Sequence, residues 1–319
     1  MRAYILRRLL LVIPTLFGVT ILIFVAMRVI PGDPLAMIEA EGQGKVILTD
    51  DQLAAARASL GLDQPLYVQY LSWIGDVLHG DLGNSFWRGD PISEIILRRA
   101  PITFEIAFLA IILSWIVGLP VGVLGAVRQN SLWDVLSRMV VIIFLAVPSF
   151  WLGMLIIITL VLQFSWRPSL TVVDFLDDPI RNLQMVIGPA LVMGLGLAAV
   201  IARVARSATL EVLHDDYVRT ARAKGLPERL VLMRHVIRNT LMQILTVSAL
   251  AFGGLLGGSV AVERAFGVPG LGMSLVMAIN ERDWMMIQNL VLIYGIIFVI
   301  MNFLVDITYG LLDPRIRYS

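Results

Sequence analysis

The chain of 319 residues contains no cysteine, which excludes disulfides, thiolate nucleophiles and cysteine–zinc sites. Histidine is nearly as scarce. His79, His214 and His235 are well separated, and no His-x-x-x-His spacing places two imidazoles on one helical face. Charged residues make up only 15%, against about 25% in an average soluble domain. A net charge of +1 gives no footing for nucleic acid. The phosphate-cradling G-x-x-x-x-G-K-[ST] loop is missing, as are H-E-x-x-H and G-x-S-x-G. No metal site and no catalytic cluster is readable. Ser149 and Ser259 have no neighbouring His or Asp within their apolar runs and read as packing residues rather than nucleophiles.

What the chain has in abundance is apolar surface. Hydrophobic residues make up 58%, and mean hydropathy is +0.84. A bilayer core of ~30 Å needs about 20 residues of helix to cross it. Six runs lack Asp, Glu, Lys and Arg: Leu9–Met27, Ile106–Val127, Met139–Trp166, Leu183–Ala202, Thr240–Val262 and Trp284–Val305. Buried helices of soluble proteins are seldom that long and uncharged. The sequence therefore predicts an all-α polytopic membrane protein with six spans. Arg2, Arg7 and Arg8 before the first run resemble a signal peptide, but the run is long and no small-x-small cleavage site follows, so it reads as an uncleaved span. The segments 1–8, 128–138, 203–239 and 306–319 hold 15 basic and 7 acidic residues, and the remaining loops hold 10 and 17. This bias predicts that both termini are cytoplasmic.

Three parts follow: residues 1–30 with the first span, an extracytoplasmic subdomain over 31–100, and a transmembrane domain over 101–319. In the second, Thr49-Asp50-Asp51-Gln52 reads as a capping box opening a helix to about Leu60. Another helix starts near Pro65, with Leu66, Tyr70, Trp73 and Val77 on one face and Gly80 as its cap.

The loop 203–239 carries eight basic and four acidic residues. Leu210, Leu213, Tyr217 and Ala221 form one apolar stripe, and Leu226, Leu230, Met233 and Ile237 another. Between them, Gly225-Leu226-Pro227 supplies a positive-φ glycine and a helix-starting proline. The pattern is helix, turn, helix. Two readings stay open from pattern alone: helices lying on lipid headgroups, or a docking element for a soluble cytoplasmic protein. Asp215 and Arg219 can pair at i, i+4.

The spans contain no ionisable group, so proton coupling lacks its usual carriers. A power source on another subunit is the natural complement. Pro148, with Ser149 and Phe150, predicts a kink in the third span and a candidate gate. Gly253, Gly254, Gly257 and Gly258, beside Ser259, allow close helix approach. They serve either packing within one bundle or a face that slides on a partner.

From Tyr217 to Leu226, and on through Arg234-His235-Val236-Ile237-Arg238-Asn239, the sequence resembles the permease subunits of ABC importers of the dipeptide, oligopeptide and nickel class. Other stretches in order are Ile30-Pro31-Gly32-Asp33-Pro34, Gly80-Asp81-Leu82-Gly83-Asn84-Ser85, Arg99-Ala100-Pro101-Ile102-Thr103, Pro148-Ser149-Phe150-Trp151, Phe266-Gly267-Val268-Pro269-Gly270-Leu271-Gly272 and Leu312-Asp313-Pro314-Arg315-Ile316-Arg317. Arg219-Thr220-Ala221 stands where the general motif has Glu-Ala-Ala, and Arg238-Asn239 near where other importers have Leu-Pro. The resemblance implies type I ABC importer architecture in a bacterial inner membrane and a non-catalytic subunit. It implies no cofactor on this chain, with ATP and Mg on partner subunits. The implied partners are a second homologous permease, two cytoplasmic ATP-binding subunits and an extracytoplasmic solute-binding protein. It also implies that Tyr217, Ala221, Lys224, Gly225, Leu226 and Leu230 couple to an ATPase subunit. The proline and glycine pattern makes Pro148, Ser149, Phe150, Gly254, Gly257 and Ser259 the candidates for a pathway or gate. A stand-alone secondary transporter or channel is the alternative. The substrate is not legible.

Overall fold

The computed structural model describes residues 2–29, 63–86, 88–165 and 172–312. The capping box at Thr49–Gln52, its helix to Leu60, the Ile30–Pro34 motif and the tail from Asp313 lie outside them. The helices are α1 (Arg2–Val29), α2 (Leu66–Leu78), α3 (Ile92–Val127), α4 (Leu132–Ala146), α5 (Ser149–Phe164), α6 (Pro179–Leu213), α7 (Asp216–Ala223), α8 (Glu228–Phe266), α9 (Leu271–Glu281) and α10 (Trp284–Leu312). Among the described residues five helices, α1, α3, α6, α8 and α10, are long and apolar enough to cross a bilayer. The sixth span exists only if α4 and α5 count as one.

That pair corrects the third expected span. The sequence predicts one helix kinked at Pro148; the chain instead turns by 99° between α4 and α5. Proline disfavours helical backbone in the residue before it, and Val147 is extended, at φ −88° and ψ 123°. Pro148 then caps α5, its carbonyl accepting from the Trp151 and Leu152 amides at 3.1 Å each. The break is complete because both halves find ends that satisfy them.

Charges mark where apolar runs stop, not where helices stop. α3 begins fourteen residues before its run and α6 continues eleven beyond Ala202, because backbone hydrogen bonding tolerates charge wherever side chains reach water or a partner.

The chain divides into two compact units. One comprises Met1–Ile5, Ala100–Met273 and Ile300–Ser319; the other comprises Leu6–Arg99 and Ser274–Val299. In the first, α6 is the most enclosed helix. α3 reaches it through glycines that the sequence reading passed over. A Cβ at Gly118 would lie 2.5 Å from the Ala198 carbonyl oxygen, and one at Gly122 would collide with the Ala202 carbonyl and sit 2.7 Å from the Ala205 Cβ. Backbones this close gain dispersion contacts that lipid cannot supply. Gly122→Ala is expected to cost about 1–3 kcal/mol by overpacking, read as a lower melting temperature in detergent, whereas Gly18→Ala, facing open space, should be neutral. The span hydroxyls mostly turn back on their own helices: Ser114 to Ile111 O, Thr159 to Leu155 O, Ser259 to Leu256 O. Ser248 bonds Ile244 O and also accepts from Trp115 Nε1 at 2.7 Å.

In the second unit, α2 presents Tyr70, Trp73 and Val77 to a core of Ile23, Phe24, Met27 and Leu292, while Leu66 is exposed. Trp73 Nε1 donates to Asn289 Oδ1, and Asn289 Nδ2 donates to Leu82 O. Arg28 donates to Gln69 and Gln288 and lies 4.2 Å over the Phe24 ring. α2 ends as expected at Gly80, whose φ is +82°. The Gly80 amide bonds Val77 O and the Asp81 amide bonds Asp76 O, which satisfies the last carbonyls. Asp283 ties this stretch down, accepting from Ser85 Oγ at 2.6 Å and the Phe86 amide at 2.9 Å.

Candidate coupling surface and pathway residues

The segment after α6 is a folded helical hairpin. α6 runs to Leu213, the chain breaks at His214–Asp215, α7 follows, and α8 starts after Pro227. The first apolar stripe therefore does not lie on one helix: Leu210 and Leu213 belong to α6, Tyr217 and Ala221 to α7. The turn is as read from sequence. Gly225 has φ +77°, its amide bonds Arg222 O at 2.9 Å, and the Leu226 amide reaches Ala221 O at 3.4 Å. A Cβ there would meet no described atom within 4 Å, so only backbone strain opposes substitution. Gly225→Ala is expected to cost about 1–2 kcal/mol from the left-handed conformation alone. Thermal melts of the two forms measure it.

Arg222 clamps that turn. Its Nη2 and Nε donate to the two Glu228 carboxylate oxygens at 2.7 and 3.1 Å. This fork holds the Arg222 guanidinium above its ordinary pKa. Both groups are near half exposed, so the pair's net worth is at most about 1 kcal/mol and its main effect is geometric. On α7 the observed ion pair is Asp216–Arg219 at 3.8 Å, rather than the i, i+4 pair from Asp215. α8 opens with a π-helical segment at Val231–Val236.

The hairpin has its own core of Val212, Val218, Ala221, Val231 and Val236, flanked by Leu213, Leu226 and Leu232. Sequence periodicity missed the valines because it counted the wider stripes. Those stripes are what the fold leaves outside: Tyr217 is 40% exposed, Leu230 39% and Met233 60%. Lys224 is exposed and Leu226 half-buried. Tyr217 Oη accepts from Asn239 Nδ2, which fixes the ring at the base of α8. A rigid, self-supported hairpin thus presents apolar groups beside Arg219, Lys224, Arg229 and Arg234.

The six candidate pathway residues are scattered. Pro148 and Phe150 are exposed at the α4–α5 break, with Ser149 half-buried. Gly254, Gly257 and Gly258 lie on an open face of α8, where a Cβ would meet no described atom within 4 Å. Among the described residues nothing packs against them. Ser259 is buried on the other side of the helix and bonded to its own backbone.

Beyond Ser259 the helix carries a buried carboxylate. Sequence placed Glu263 at the edge of an apolar run; in the fold it is fully enclosed. Thr103 Oγ1 donates to its Oε1 at 2.8 Å and the Met273 amide to its Oε2 at 3.0 Å. Thr103 in turn accepts from the Leu271 amide at 2.9 Å. Gly267, with φ +69°, ends α8 and turns the chain back over the carboxylate. Gly270 and Gly272 are glycines for lack of room. A Cβ at Gly270 would strike the Glu263 carboxylate and lie 2.6 Å from Thr103 Oγ1, and one at Gly272 would lie 2.5 Å from the Val260 Cα. The Gly-Val-Pro-Gly-Leu-Gly motif is thus wrapped on a buried acid.

These features define a polytopic helical membrane component with an organised loop hairpin. Residues 118–318 match the family described as binding-protein-dependent transport system inner membrane component, and residues 1–107 match its N-terminal companion family. The chain belongs to this family and is a permease subunit of an ABC importer, not an enzyme, in the inner membrane. It is 41% identical over 319 residues to a putative peptide transport system permease protein of Brucella abortus (strain 2308), with both chains covered fully. It is 39% identical over 340 residues to the di/tripeptide transport system permease protein DppB of Pseudomonas aeruginosa (strain UCBPP-PA14), again with full coverage of both. The dipeptide transport system permease protein DppB of Escherichia coli (strain K12) matches at 39% over 342 residues, with full coverage of both. Among solved structures, an amino acid ABC transporter with histidines shares the fold. The TM-score is 0.52 at 16% identity, covering 69% of this chain and 95% of that one.

Proposed function

We propose that this chain pairs with a second, similar permease to form a pathway for small peptides, driven by two ATP-binding subunits that hold the ATP and Mg. The single observation that carries the reading is the α7–Gly225–α8 hairpin. It buries Val212, Val218, Val231 and Val236 among themselves yet leaves Tyr217, Leu230 and Met233 outside. A hairpin meant only for headgroups would spread its apolar residues on one flat face. This one is a compact knob suited to a cleft. Tyr217, Lys224, Gly225, Leu226 and Leu230 would make that contact, with Ala221 supporting them from within the hairpin core and both termini on the same, cytoplasmic side.

The open Gly254–Gly257–Gly258 face of α8 supports contact with a second permease, and the Pro148–Ser149–Phe150 break supports a gate. The 31–100 segment would receive a solute-binding protein on the opposite side, with 101–319 as the transporting domain. Peptide specificity rests on the relatives' names.

The reading is tested by reconstituting the chain with its companion permease, ATP-binding subunits and binding protein, and following peptide uptake into vesicles. Uptake should require ATP and every subunit. Uptake by this chain alone, down an ion gradient, would establish a secondary transporter instead.

A further inference from the structure

α6 does more than lead into the hairpin. Seven residues before its end, about 10 Å along the axis, it carries Arg206. Arg206 is bound in a fork to Asp134 in the first turn of α4: Nε to Oδ1 at 2.7 Å and Nη2 to Oδ2 at 2.9 Å. Asp134 is fully buried, and Arg206 is 23% exposed. The Asn130 amide donates to Asp134 Oδ2 at 3.1 Å, and Arg138 approaches Oδ1 at 3.5 Å. Room for the pair comes from α3, where Gly122 and Gly125 bring the backbone within a few ångströms of Arg206 and Asp134. Three helices therefore meet on one ion pair.

The pair joins two things the proposed function treats separately. At the far end of α4 is the 99° break at Pro148. At the end of α6 is the hairpin, and Val212 locks α6 into its core. We infer that Asp134 and Arg206 are positioning residues that make α4 move with the inner end of α6, so that displacement of α7 reaches the break at Pro148. Buried ion pairs are often replaceable by apolar groups without loss of stability, so stability alone gives weak reason for one here. A bidentate fork resists sliding and rotation of one helix on another, which is what a mechanical link requires.

This inference rests on the ATP-driven reading, and the two fail differently. Without ATP-dependent uptake by the native complex, the function is wrong. If only the variants below behave as native, the link is wrong. The first measurement compares the native complex with the double variant Asp134→Asn, Arg206→Met, which leaves no unpaired buried charge, since Arg138, the other cation beside Asp134, is half exposed to water. Basal ATP hydrolysis should persist, and peptide taken up per ATP should fall at least about fivefold, the low end of ordinary coupling between sites. Native uptake per ATP in the double variant would overturn the inference. The second measurement needs no disruptive variant and decides if the double variant fails to assemble. The chain has no cysteine, so spin labels attached at Leu136→Cys and Glu211→Cys, with cysteine-free partner subunits, report the α4–α6 distance alone. That distance should be the same in nucleotide-free and ATP-trapped complexes, and a change between the states would overturn the link.

Discussion

Glu263→Ala is expected to lower the stability of this permease by roughly 3–5 kcal/mol, among the largest effects of any single substitution outside the apolar core. The loss has a definite origin. The carboxylate is fully buried and accepts from the Thr103 hydroxyl and the Met273 amide. Alanine would strand these donors in a region that water does not reach, each costing about 1–3 kcal/mol, and would open a cavity beneath the Gly267–Gly272 turn. Glu263→Gln keeps the shape and one acceptor oxygen, so its loss should be clearly smaller. Thermal unfolding in detergent, with tryptophan fluorescence as the probe, ranks the three proteins. Equal melting temperatures for the alanine variant and the native chain would show that the clasp contributes nothing. Gly270→Ala should resemble Glu263→Ala, since the added Cβ strikes the same carboxylate.

The second large effect should appear in transport and not in folding. Leu230→Glu combined with Met233→Glu places two carboxylates on the exposed side of the hairpin. Both residues lie outside the hairpin core, so stability should change by no more than about 0.5 kcal/mol per site. Uptake should fall by about two orders of magnitude or more, because carrying two carboxylates into an apolar protein contact costs several kcal/mol of desolvation. Co-purification of the ATP-binding subunits should fail in parallel. Val231→Glu, at a fully buried neighbour in the hairpin core, should misfold instead. If the double glutamate protein transports normally, the hairpin does not dock through this face, and a headgroup-lying role becomes the better account.

Much of the design was legible before any coordinates. The charge-free runs identified the bilayer as solvent because hydrocarbon selects length and composition directly. Gly225 and Gly80 were readable because a left-handed residue at a helix end is a local requirement, met by glycine wherever it occurs. The Pro148 signal was also local, but its magnitude was not. Proline dictates only that Val147 leave the helix, and whether the helix bends or breaks depends on what the two halves pack against. The hairpin's apolar residues were legible as stripes, and the fold leaves Tyr217, Leu230 and Met233 of them outside. Which residues cover one another could not be seen, since Val218 and Val231 meet through a turn whose geometry sequence only names.

The sequence by itself therefore determined the solvent, the approximate spans and the turns, each a matter of neighbouring residues and their interaction with lipid, water or their own backbone. Tertiary structure alone decided which acids are buried and which glycines are tight. Glu263 reads as a boundary charge until Thr103, 160 positions away, is brought against it. Asp134 and Arg206, 72 positions apart, read as ordinary loop charges until two helices bury them together. Gly122 and Gly257 look alike in sequence, yet one is filled by α6 and the other is open. Their difference lies in what packs against them, which no window along the chain contains.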